Sequence, residues 1–128
     1  MTVGVSVANL ANPVLDWLRG VAPATVPALY GKLHVGDPGA AGTANASAVT
    51  TRQLITMTAA SGGSIGLNTV GGSWTMTATE TVSHLSIHDA SSGGNFRWSV
   101  LLTNARNVVS GDTLTLTTLT LGNTPLAA

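Results

Sequence analysis

The chain of 128 residues predicts an all-β fold, an antiparallel β-sandwich of jelly-roll or Ig-like type with about seven or eight short strands, preceded by a short N-terminal helix. Three observations carry this. From position 28 onward, apolar and polar residues alternate in short runs, the period of a strand with two unlike faces. Glycine, serine and asparagine clusters separate those runs at a spacing of roughly ten residues. Threonine, which suits pleated half-exposed surfaces, is abundant from position 50. The expected organisation is an arm and short helix over 1–27 and a sandwich over 28–128, a single domain overall that can bury roughly two-thirds of the surface of its unfolded chain.

Taken in order, residues 2–8 (TVGVSVA) alternate weakly and form either an edge strand or an arm. Asn12 is placed to cap a helix whose first position takes Pro13, and Gly20 supplies a left-handed stop, which predicts about two helical turns. With Asn9 as an earlier cap it begins a turn sooner. So short a helix is marginal alone and needs its Leu15/Leu18 or Val14/Trp17/Leu18 face packed, first as a flap docked on its own domain and second as a partner-binding helix. Residues 21–27 carry two prolines and read as an extended connector. The strand that follows, about 28–35, places Tyr30, Lys32 and His34 on one face and Leu29, Leu33 and Val35 on the other, the pattern of a sheet covered on one side. Gly36-Asp37-Pro38-Gly39 ends it, because Pro38 fixes φ and lacks an N–H.

Residues 40–51 have no large side chain except Val49 and predict a loop that is mobile or ordered by a partner. Strands are expected over 52–58, 64–69, 73–79 and 82–89, with Leu85 and Ile87 on one face and His84, Ser86 and His88 on the other. Residues 95–102 put Phe96, Trp98, Val100 and Leu102 on a single face, which predicts a central strand. In the last strand, 113–121, the leucine parity flips between Leu114/Leu116 and Leu119/Leu121. That predicts a bulge near Thr117-Thr118 or a strand passing from one sheet to the other.

Charge narrows the function classes. Five cations oppose five anions, the net charge is zero and 8% of residues are charged, against about 25% in an average soluble domain. Such a surface offers little repulsion and favours association. Five scattered cations make no phosphate-neutralising stripe, so nucleic acid is not an expected partner. The absence of cysteine removes disulfides, thiolate nucleophiles and Cys-type zinc sites. No window approaches the ~18 apolar residues of a membrane helix and no basic leader is apparent, so no membrane partner is expected.

The candidate chemistry is thin. Gly62-Gly63-Ser64-Ile65-Gly66 matches the nucleophile-elbow string, whose physics needs a strand before the serine and a helix after it, but strand-like residues follow. His84 and His88 lie roughly 13 Å apart along a strand, too far to share one ion. His34 with Asp37, or His88 with Asp89, can contribute only to a site assembled through space. No paired carboxylates stand in a glycosidase-like context, and a phosphate loop with its lysine is missing. Catalytic residues, metal and cofactor are all expected to be none.

LYGKLHVGDPG at 29–39, Ala48 with Arg52, TATETVSHLSIHDA at 77–90, and Gly93, Gly94 and Trp98 in order resemble small proteins encoded among the virion genes of tailed phages, especially those of actinobacteria. The resemblance covers about residues 28–102 and also SVANLANPVLDWLRG at 6–20. It implies a non-enzymatic virion structural protein: foremost a capsid decoration protein bound to the major capsid protein and to copies of itself as a homotrimer, alternatively a tail or tail-fibre module that binds a receptor or a neighbour. The expected localisation is the virion, at the capsid surface, after synthesis in the host cytoplasm. The expected contact residues are Trp17, Leu18, Tyr30, His34, Asp37 and Arg52.

Overall fold

A computed structural model describes residues 3–123. In chain order these form a π-helical turn (Val7–Ala11), α1 (Asn12–Leu18), β1 (Leu29–His34), β2 (Gln53–Met57), β3 (Ser64–Val70), β4 (Trp74–Thr75), β5 (Glu80–His88), β6 (Phe96–Val108), β7 (Thr113–Leu114) and β8 (Thr120–Gly122). Six strands make one antiparallel sheet in the order β6-β5-β1-β2-β3-β8, and β4 pairs with β7 in a second, small sheet. The architecture is therefore the expected antiparallel β fold with one short N-terminal helix.

The core follows from strand register. Leu29 faces Ile55 across β1 and β2, while Leu33 faces Leu85 across β1 and β5. These side chains lie on one face of the large sheet, as period-two alternation requires. Gly31 sits among them opposite Ile87, and a Cβ there would stand 2.8 Å from Ile55 Cδ1, so the small residue lets neighbouring side chains meet over the strand. Trp74 and Met76, 2% and 1% exposed, cover this face from the second sheet. The Trp74 indole N–H donates to the Thr51 carbonyl at 2.9 Å, which satisfies the one polar group that the buried ring carries.

The leucine parity flip resolves into a change of sheet. Leu114 pairs with Trp74 in the small sheet, residues 115–119 leave the ladder, and Leu121 pairs with Ile65 in the large one. Leu119 and Leu121 are buried, and Leu114 and Leu116 pack against the same core. One irregular stretch thus lets four leucines of unlike parity point inward.

Three expectations are corrected. β6 is an edge strand, with β5 on one side and on the other only a bridge from Val5 to Trp98, flanked by Ser6 N–H to Arg97 O and Ser99 N–H to Gly4 O, both 2.8 Å. The arm was one of two readings of residues 2–8, and it closes this edge. The Phe96/Trp98/Val100/Leu102 stripe also breaks: Ile87 pairs with Trp98 but His88 with Phe96, a bulge at Arg97 that turns Phe96 and Trp98 to opposite faces. A second register shift lets β6 run on to Val108. Finally, the 73–79 strand shrinks to two residues.

The polar face of the large sheet is covered as well, contrary to the one-sided pattern. His34 is 0% exposed and Ser86, His88 and Ser99 are buried, while Val35 is 39% exposed. The cover is the loop over 36–51, whose 40–51 stretch, expected to be mobile or ordered by a partner, is instead bonded within its own chain. Val35 N–H donates to Asn45 O, Ala44 N–H to Pro38 O and Ser47 N–H to Leu33 O, at 2.8 to 3.1 Å. Gly42 lies at φ +70, and a Cβ there would run into the Phe96 ring, so a loop of small residues packs where a bulkier one would be held off. Ser47 donates to the Glu80 carboxylate, which also accepts from the Ala48 N–H at 3.2 Å.

Candidate functional site

Two regions gather the side chains that chemistry or recognition would use. The first is the enclosed polar face. His34 Nδ1 lies 2.8 Å from the Ala44 carbonyl, which can only accept, so this nitrogen carries the proton and Nε2 is an acceptor. The Ser86 hydroxyl, 2.7 Å from His34 Nε2 and 2.8 Å from His88 Nε2, then donates to His34 and accepts from His88. The chain of bonds runs in one direction through two neutral imidazoles.

Burial lowers the pKa of both rings. For His34 desolvation dominates, opposed by its bond to Ala44, with nearby Lys32 adding to the lowering. For His88 desolvation combines with the positive charges of Arg52 and Lys32 to bring it to about 4. Serine between histidines beside an aspartate superficially suggests nucleophilic catalysis. Ser86 is 0% exposed, however, and its hydroxyl is committed to both rings. No substrate reaches it in this fold. Ser64 opens β3 and donates to Ser61 O at 3.3 Å, within a tight turn between strands rather than at the strand-to-helix elbow. Among the described residues no group of three or more His, Asp or Glu is disposed to hold a metal ion.

The second region is the N-terminal unit, residues 3–18, anchored through Arg97. The Arg97 guanidinium donates to Asp89 Oδ2 from Nη2 at 2.6 Å and from Nε at 3.1 Å, and from Nη1 to the Asn9 carbonyl. Asn9 returns a bond from Nδ2 to Phe96 O at 3.1 Å. Burial on its own would raise the Asp89 pKa, but the Asn95 N–H and the Arg97 guanidinium outweigh it and hold the carboxyl below its ordinary range. The turn begins at Ser6, whose hydroxyl accepts from the Asn9 N–H, and α1 ends at Gly20, φ +95, with an Asp16–Arg19 pair at 2.7 Å on its surface.

That anchoring is polar and leaves the helix uncovered. No α1 residue is buried: Leu15, Trp17 and Leu18 are 61%, 64% and 79% exposed. Val26, Leu29, Ile65, Trp98 and Leu121, together with Leu10 of the unit itself, line an open apolar cleft of about 330 Å³.

Of the six expected contact residues, Trp17 and Leu18 stand on the surface and side by side. Tyr30 and Asp37 are half-buried. Asp37 caps its own turn by accepting from the Gly39 N–H at 2.8 Å. Arg52 donates from Nη1 to Ala90 O and Gly93 O, both at 2.8 Å, and so holds the β5–β6 turn rather than reaching outward. His34 is enclosed and offers no surface to a partner. The residues that reasoning from sequence passed over are Asn9, Ser86, Asp89 as an ion-pair partner, and Arg97. The available signal was the Asp89/Arg97 pair flanking a Gly-rich turn, which a β-hairpin brings face to face.

Residues 6–124 match the family model described as podophage GP4 fiber I protein gp80. No curated protein matches the chain at a comparable level. The match spans nearly the whole sequence, the helix and both sheets included. The chain therefore belongs to this family of phage fibre proteins and is a virion structural protein.

Proposed function

We propose that this family member is a non-enzymatic tail-fibre module of a phage particle, a β body that carries an apolar N-terminal unit for packing against a neighbouring virion protein. The observation that carries the reading is the family match over 6–124, which favours the tail-fibre alternative over capsid decoration. The interior supports it. The groups that resemble a catalytic set, His34, Ser86 and His88, are closed off by the 36–51 loop and bonded to one another. Sparse charge and zero net charge favour lasting contact with a neighbour over solvation of a free particle.

Gold-labelled antibody against the chain on purified virions tests the location. Label on fibres, with tens of copies or fewer per particle on a quantitative gel, is expected. Label spread over the head, with copies in the hundreds, would overturn the fibre reading and restore capsid decoration.

A further inference from the structure

The helix and the cleft are complementary features of one chain. Leu15, Trp17 and Leu18 expose roughly 400 Å² of mostly apolar surface, about half of what one partner contributes to a standard interface. Val7 and Val21, nearby in sequence, are exposed as well, at 67% and 47%. The cleft of about 330 Å³ between Val26, Leu29, Ile65, Trp98 and Leu121 is wide enough for an indole and lined by aliphatic and aromatic side chains. The one charged residue on its wall, Arg97, is already paired with Asp89 and Asn9. No net charge opposes the approach of one copy to another.

From this juxtaposition we propose that the Trp17/Leu18 edge of α1 docks into the Val26–Trp98–Leu121 cleft of a second copy of the same chain. The contact joins unlike surfaces, so each copy offers a helix to one neighbour and a cleft to another. Such a contact repeats until it closes as a ring or continues as a filament. The proposal deepens the fibre reading by naming the partner as a second copy, and it rests on that reading only for its biological setting.

The test uses the purified full chain and sedimentation velocity between about 1 μM and 1 mM, the span of weak to moderate association. The wild type is expected to gain mass with concentration. Trp17→Ser/Leu18→Ser, which removes the helix knob, and Val26→Arg, which blocks the cleft rim, are each expected to weaken association at least tenfold. Both variants change exposed positions, and unchanged thermal melts show that they fold. The decisive sample is an equal mixture of the two, which keeps one intact helix and one intact cleft. It is expected to form a one-to-one dimer that grows no further. A wild type that stays monomeric throughout would overturn the proposal and assign the helix to a different virion protein. A mixture that stays monomeric would also overturn it, and a Val26→Arg variant that associates as strongly as the wild type would overturn it in favour of a helix-to-helix contact. Either result leaves the labelling experiment on virions unaffected, so the two readings fail separately.

Discussion

The enclosed face of the large sheet and the N-terminal helix both carry side chains that look functional, and they differ in whether the chain satisfies them. His34 has both ring nitrogens bonded, to the 36–51 loop and to β5, and Ser86 links it to His88. Leu15, Trp17 and Leu18 stay more than half exposed. Polar residues inside a β body are costly to bury unless bonded, so this face serves to specify the fold. Apolar residues outside it are costly to leave wet, so the helix points to another surface. The comparison teaches that side-chain chemistry alone does not mark a functional site; the residue type matters less than what remains unsatisfied.

Substitutions can break this contrast, and the largest effect belongs to the core beneath both regions. Trp74→Ala is expected to destabilise the fold by about 3–5 kcal/mol in urea melts, because it empties a fully enclosed position. Next comes the join between the two regions. Arg97→Met strands the buried Asp89 carboxylate and releases Asn9, and is expected to cost roughly 3 kcal/mol. It should also increase protease cleavage within residues 3–20 before the body unfolds, and cleavage unchanged from wild type would deny that Arg97 is the anchor.

Between pH 7 and pH 4.5 acid acts first on the enclosed face. The His88 pKa falls from 6.5 to about 4 on folding, so between those values the unfolded chain binds the proton and the folded one does not. The stabilisation is therefore fully present above pH 6.5 and is lost as pH falls toward 4. It amounts to about 3 kcal/mol for this ring, and His34, shifted in the same direction, adds to it. Urea midpoints at pH 7 and pH 4.5 measure the loss, and midpoints that do not fall would show that the rings are not enclosed as neutral groups. The smallest effect belongs to the exposed helix. Trp17→Ala should change the stability of the isolated chain by less than about 0.5 kcal/mol, and a larger loss in a dilute sample would mean that the indole packs within its own chain.

Much of the fold was legible in the sequence because it depends on local rules. The end of α1 follows from Gly20, but Asn12 is not its cap: helical backbone already begins at Val7, capped by Ser6, and Asn12 lies inside it. The change of sheet after Leu116 follows from a parity flip that no straight strand can accommodate. The β1 and β5 stretches follow from alternation alone. Of the candidate site, Trp17 and Leu18 were visible because a two-turn helix cannot hide so many apolar residues by itself.

What was illegible depended on pieces far apart in sequence. The bulge at Arg97 moved Phe96 to the polar face, an outcome set by how β6 registers on β5. Alternation told which residues share a face of β1 and β5, but a loop of Gly, Ala, Asn and Ser decided that the polar face would be covered. Nothing in His34 distinguishes a surface contact from a buried ring until Ala44 and Ser86 are brought to its two nitrogens. Residue type and spacing thus determined where most strands and the helix lie and which residues of β1 and β5 share a face, since these depend on neighbours along the chain. Only the tertiary structure decided which of those faces meet water, because burial depends on what the rest of the chain lays over them.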